Sequence, residues 1–245
     1  MNKDDKIPLT SHLEELRKRL IVCFIAVGAG FILSYGFKEK LFQILTYPLI
    51  SVMKTDGTLI FTGLPEAFFT YLKVSFLTGF ILSAPVILYE FWVFVAPGLY
   101  HKERRLLLPV VFFSSLFFIA GALFGYFVVF PFGFKFFLGF ATETIKPLIS
   151  MREYLSFAAK LLIAFGLAFE LPIVVTFLSR LGIVTVDFLK KNRKYALLLS
   201  FVCSAILTPP DVITQIMMAL PLMILYEMGI YSAMFFGRKK AKSNP

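Results

Sequence analysis

Histidine and cysteine are almost missing from this chain, with two of each among 245 residues. His12 and His101 stand far apart with no companions at ligand spacing, which excludes a clustered metal centre. Cys23 and Cys203 both fall inside apolar runs, where a small buried side chain is expected and not a disulfide framework. Charge is scarce as well: Asp, Glu, Lys and Arg make up 16% of the residues, against about 25% in soluble domains. There is no GxSxG elbow, no HExxH pair, no phosphate-binding loop and no histidine beside a candidate nucleophile, so neither an enzyme nor a cofactor is expected. The polar start MNKDDKIPLTSHLEELRKRL leads into an apolar run with no small-residue cleavage site behind it, so that run is expected to be retained as a membrane span.

What is abundant is apolar surface. The chain is 58% hydrophobic with 31 phenylalanines, and its mean hydropathy is +0.82. Such an excess needs an apolar solvent around the protein, and implies an all-α polytopic membrane protein. Six runs are expected as spans: 20–36, 68–95, 107–133, 154–179, 195–207 and 212–235, forming one integral membrane domain over 1–245. Segment 37–67, broken by Pro48, Gly57, Gly63 and Pro65, reads as an external cap of turns and short helices. The fifth run has only 13 residues, about 20 Å of helix, before Thr208-Pro209-Pro210-Asp211 turns the chain. A hydrocarbon core is about 30 Å thick, so the last hairpin either inserts part-way or sits in a thinned bilayer.

The net charge of +10 follows the spans. Of the 25 Lys and Arg residues, 17 lie in the N-terminal segment, the 96–106 loop, the 180–194 loop and the C-terminal tail. By the positive-inside rule both termini are expected in the cytoplasm, which requires an even number of spans. Basic residues placed this way do not imply nucleic acid.

Three carboxylates fall inside apolar runs: Glu90, Glu170 and Glu227. At 1.5 Å per residue they lie roughly 7–8, 15 and 13 Å from the inner helix ends. Glu90 and Glu227 are within reach of the inner surface by snorkelling. Glu170 is not, and is expected to be an intramembrane polar site held neutral, with no Lys or Arg at its depth. Gln215, near the start of the last run, offers an amide for bonding across helices. On the N-terminal segment, Ser11 and Glu14 have capping-box spacing, Ser11 as N-cap and Glu14 three residues on. Glu15 is left over, although it can pair with Arg19 four residues later. Buried carboxylates and prolines within spans are also compatible with a proton-coupled secondary transporter, but no internal repeat relates the two halves. A structural membrane scaffold is a third reading, and leaves Glu170 unexplained.

Four motifs in order, HLEELRKRL at 12–20, LSAPVILYEFWVFVAPGLYHKERR at 82–105, FGLAFELP at 165–172 and LTPPDVITQ at 207–215, resemble those of the TatC family, and the resemblance covers nearly the whole chain. The resemblance implies a six-helix, cupped inner-membrane receptor for the signal peptides of folded proteins carrying consecutive arginines. It also implies recruitment of the single-span partners TatB and TatA, with export driven by the proton-motive force and not by ATP. By resemblance Glu15 and Glu103 receive the arginine pair, Arg17 and Arg105 organise the same surface, and Pro48 and Asp211 are external structural residues. Glu170 matches the family's buried carboxylate and contacts partner helices. Glu90 departs from the family, which often carries glutamine there, and an added carboxylate is expected to share a proton with Glu170. Assembly with further copies of the chain fits the family picture.

Overall fold

The computed structural model describes residues 9–53, 59–95, 107–142, 144, 147–208 and 212–237, and the side chains from Leu13 on. Ten α-helices are described: α1 (Leu9–Tyr35), α2 (Lys38–Ile50), α3 (Glu66–Val95), α4 (Leu107–Phe124), α5 (Phe130–Leu138), α6 (Met151–Phe169), α7 (Leu171–Arg180), α8 (Val186–Lys191), α9 (Arg193–Leu207) and α10 (Val212–Phe236). The β structure among the described residues is one isolated parallel bridge, Ile60 to Ser150. Large apolar side chains cover much of the outer surface, among them Phe24, Ile25, Ile32 and Leu33 on α1 and Leu108 and Phe112 on α4. Water would not tolerate so much apolar exposure, whereas lipid requires it.

Four segments are long and apolar enough to cross a bilayer: Glu66–Val95, Leu107–Leu138, Met151–Arg180 and Val212–Phe236. A fifth is gained if α1 and α2, bent by 89° at the intervening break, count as one. The expected six is not reached by length and composition, because α9 has 15 residues, about 22 Å of helix. One local expectation is also revised. The backbone is already helical at Leu9, so Ser11 lies within α1 and not at its N-cap. The expected fourth span is present as Met151–Arg180, with a break at Glu170 that divides it into α6 and α7.

The chain divides into two compact units. The first combines α1 and the residues up to Leu41 with Tyr71–Ser115, which holds most of α3 and the start of α4. Here α1 and α3 touch through glycine: a Cβ added to Gly79 would lie 2.5 Å from the Phe31 nitrogen, and one on Gly30 would lie 2.6 Å from the Gly79 oxygen. The close approach brings the Ser83 hydroxyl to the Ala26 carbonyl at 2.8 Å, shared with Gly79 of its own helix at 2.7 Å. Small residues that let backbones meet are how helices associate in lipid, where the hydrophobic effect between them vanishes. Farther along, the buried Trp92 indole donates to Ser114 on α4 at 2.9 Å.

The second unit holds Phe42–Thr70 and Leu116–Pro245. Its core includes Phe130, Leu155, Leu161 and Phe165. Prolines shape its helices, and the groups they release find partners. Pro48 has no N–H to give the Ile44 carbonyl. The Tyr126 hydroxyl serves that carbonyl at 2.6 Å, and the Tyr154 hydroxyl serves its neighbour Leu45 at 2.5 Å. Upstream of Pro131 the chain widens into a π-turn over Gly125–Val129, closed by Phe130 N–H on the Gly125 carbonyl. Pro172 stands in the first turn of α7 and ends α6, and the Glu170 carbonyl accepts from Ile173 at 3.0 Å and Val174 at 2.9 Å. Segment 60–66 is fastened to the start of α6: Ile60 N–H bonds the Ile149 carbonyl at 3.1 Å, and Met151 N–H bonds Ile60 at 2.9 Å. On the other side, α10 packs along α7 and α9, with Thr176 donating to Ser232 at 2.7 Å and Tyr226 to the Leu189 carbonyl at 2.9 Å.

Candidate functional site

The first turns of α1 after Leu13 read Glu14, Glu15, Leu16, Arg17, Lys18, Arg19, directly before the apolar stretch. A helix places positions i and i+4 on one face, so Glu15 and Arg19 meet. The Arg19 guanidinium grips Glu15 Oε1 with both Nε, at 3.1 Å, and Nη2. Its third nitrogen, Nη1, donates to Glu90 Oε2 on α3 at 2.9 Å. One guanidinium thus joins two carboxylates, and the fork of donors suits the task because each nitrogen has a fixed direction. Exposure falls along the chain of contacts: the side chain of Glu15 is 32% exposed, Arg19 20% and Glu90 14%. Among the described residues Glu15 Oε2 receives no hydrogen bond. The triad carries two negative charges and one positive, so one negative charge is left over.

Glu90 is held by Arg19. Arginines at the ends of helices have stems long enough to reach carboxylates one or two turns deeper. Glu227 shows the same solution, with Arg193 Nη2 at 2.7 Å from Glu227 Oε2. Counting arginines as topology signals hides this second use of them.

Glu170 is buried, with 7% of its surface exposed, at the α6–α7 junction. Gln215, on α10, donates its amide to the Phe201 carbonyl on α9 at 3.1 Å, tying the last hairpin. Arg17 is exposed on α1. Cys203 is exposed on the outer face of α9 and Cys23 is half-buried, against the expectation of two buried thiols. An apolar run in a membrane protein can face lipid as readily as a core. Glu103, Arg105 and Asp211 lie outside the described residues.

One residue that sequence reasoning passed over has the densest set of contacts. Glu66, at the start of α3, accepts from Thr62 N–H at 2.7 Å, Thr62 Oγ at 3.0 Å and Gly63 N–H at 3.2 Å through Oε2. Its Oε1 accepts from Ser150 Oγ at 2.7 Å and Arg152 N–H at 2.9 Å. A carboxylate in the first turn of a helix, behind Thr62-Gly63-Leu64-Pro65, was the available signal.

A family model described as TatC, Sec-independent protein translocase protein, matches residues 11–221. A protein from Desulforapulum autotrophicum named Sec-independent protein translocase protein TatC is 63% identical over 238 residues, covering 97% of this chain and 88% of that protein. The Escherichia coli K12 protein of the same name is 42% identical over 236 residues, covering 96% and 92%. A crystal structure described as the twin arginine translocase receptor TatC superposes with a TM-score of 0.83 at 42% identity, over 93% of this chain and all of that one. These are proteins of a translocase, which sets aside the small-solute transporter.

Proposed function

The chain belongs to the TatC family of Sec-independent protein translocases, and from that membership we propose that Glu15 and Glu103 receive the paired arginines of a signal peptide. It is a membrane component of the twin-arginine translocase and not an enzyme. The observation that carries the proposal is Glu15 itself, a partly exposed carboxylate already seated on a guanidinium at the polar end of α1. A carboxylate grips a guanidinium by parallel N–H···O contacts that a lysine cannot match. Arg17 and Arg105 support that surface. Six passes with both termini in the cytoplasm of an inner-membrane protein, α9 being the short fifth pass, follow from the distribution of basic residues.

Binding of a fluorescent peptide carrying two consecutive arginines tests the assignment. Glu15→Ala and Glu103→Ala are each expected to weaken binding about tenfold or more, the loss of a charged hydrogen-bonded pair. Glu14→Ala is expected to change it far less. Unchanged affinity in both single variants and the double variant would sink the assignment.

Glu170 and Gln215 serve in this proposal as the intramembrane polar site for the single helices of TatB and TatA. The support is chemical: a buried carboxyl at a helix break is costly in lipid unless it is used. Glu170→Gln keeps size and hydrogen bonding and is expected to preserve copurification of TatB, while Glu170→Ala is expected to reduce it. Equal recovery of TatB with wild type and both variants rejects the role.

A further inference from the structure

We infer that Arg19 is a resident stand-in for a signal-peptide arginine, occupying Glu15 until a cargo guanidinium takes its place and Arg19 withdraws onto Glu90. The inference rests on the reading of Glu15 given above and adds the device that sets how selective that position is.

Three observations carry it. The contact Arg19 makes with Glu15, through Nε and Nη2 on one carboxylate oxygen, is of the kind an incoming arginine would make. Arg19 also has a second anchor, Glu90 Oε2 at 2.9 Å, on a different helix. It can therefore leave Glu15 without becoming an unpaired charge in a poorly solvated place, which would be costly. Last, within the triad the charges balance only in the displaced state. At rest two carboxylates share one guanidinium. With a peptide arginine on Glu15 and Arg19 on Glu90 there are two pairs and no excess. Glu15 Oε2, which receives no hydrogen bond among the described residues, gives the incoming group a first contact before Arg19 has left.

The exchange favours arginine over lysine for a physical reason. To displace a guanidinium held by two N–H groups, the competitor must offer a comparable fork, and an ammonium offers a point charge. Arg19 thus works as a specificity-determining residue: it raises the threshold that every cation must pass, and lysine peptides fail it. Among the described residues, Arg17 and Lys18 are exposed on α1, make no ion pair and do not contest Glu15.

The test uses the purified full chain in lipid nanodiscs and two peptides, identical but for paired arginines or paired lysines. In Glu90→Gln the second anchor is gone, Arg19 stays on Glu15, and the arginine peptide is expected to bind severalfold more weakly than to wild type. Adding Arg19→Gln to that background removes the competitor and leaves no buried charge unpaired. The double variant is expected to bind the arginine peptide about tenfold more tightly than Glu90→Gln does, and to lose most of its preference over the lysine peptide. If the double variant binds no more tightly, or keeps the full preference, the inference is overturned. Glu15→Gln separates the two levels. Should it leave arginine-peptide affinity unchanged, the receiving role of Glu15 fails and takes the inference with it; should it weaken binding while Arg19→Gln in the Glu90→Gln background brings no gain, only the stand-in fails.

Discussion

Alanine at position 79 is expected to destabilise the protein, while alanine at position 28 of the neighbouring helix is expected to stabilise it slightly. Both changes replace glycine inside a helix, where alanine is favoured by about 1 kcal/mol on propensity alone. The surroundings decide the sign. Nothing lies within 4 Å of a Cβ on Gly28, so the propensity gain is kept. A Cβ on Gly79 would lie 2.5 Å from the Phe31 nitrogen and 2.7 Å from the Gly30 carbonyl carbon. These are backbone atoms and cannot rotate aside, so α1 and α3 must separate. Overpacking of this kind costs about 1–3 kcal/mol, enough to cancel the propensity gain and reverse it. Separation also stretches the bond from Ser83 to Ala26 and pulls Glu90 away from Arg19. Leucine at position 79 is expected to abolish recovery of monodisperse protein, and alanine to lower the melting temperature in detergent. A melting temperature unchanged or raised in Gly79→Ala would show that the helices have room to spare.

That contact shows where a sequence stops being informative. Gly30 and Gly79 are both visible as glycines in apolar runs, but nothing local says that they face each other across 49 residues. Likewise Glu15 and Arg19 are legible as a pair from helical spacing, and the structure joins them. Glu90 is legible as a carboxylate inside an apolar run and within snorkelling reach of its end, yet its partner is 71 residues away. Depth alone cannot tell which helices are neighbours, so the pairing with Arg19 is not legible from it. Four of the expected runs have a helix long and apolar enough to cross a bilayer, since twenty apolar residues leave few alternatives. Their interruptions were harder to read. Pro172 advertises a kink, but only the backbone shows that the break falls at Glu170 and makes two helices. Pro48 advertises a released carbonyl, while the tyrosines that serve Ile44 and Leu45 come from 82 and 109 residues away.

Glu66→Gln is expected to loosen the 60–66 segment from α6 while leaving the rest of the second unit folded. Every group around this side chain is a donor: the amides of Thr62, Gly63 and Arg152 and the hydroxyls of Thr62 and Ser150. An ionised carboxylate is acceptor-only and can serve all of them. Glutamine keeps one acceptor oxygen and turns the other position into a donor, which must then face either Thr62 and Gly63 or Ser150 and Arg152. Whichever way the amide turns, its NH2 faces at least one backbone N–H that it cannot serve, and a hydroxyl on that side must turn to accept from it. The isosteric change is therefore expected to be nearly as damaging as Glu66→Ala, which is unusual for a substitution that alters no volume. Ile60 would keep its two backbone bonds to Ile149 and Met151, so the segment should fray and not detach at once. Hydrogen–deuterium exchange reads this directly: protection at the amides of Thr62, Gly63 and Arg152 should fall sharply in Glu66→Gln, with the amides of α10 unaffected. Glu39→Gln, an exposed carboxylate in the first turn of α2, serves as the charge-matched control and should leave all of them unchanged. If the three amides around Glu66 exchange at the wild-type rate in Glu66→Gln, the carboxylate does not hold the segment, and the two backbone bonds of Ile60 suffice.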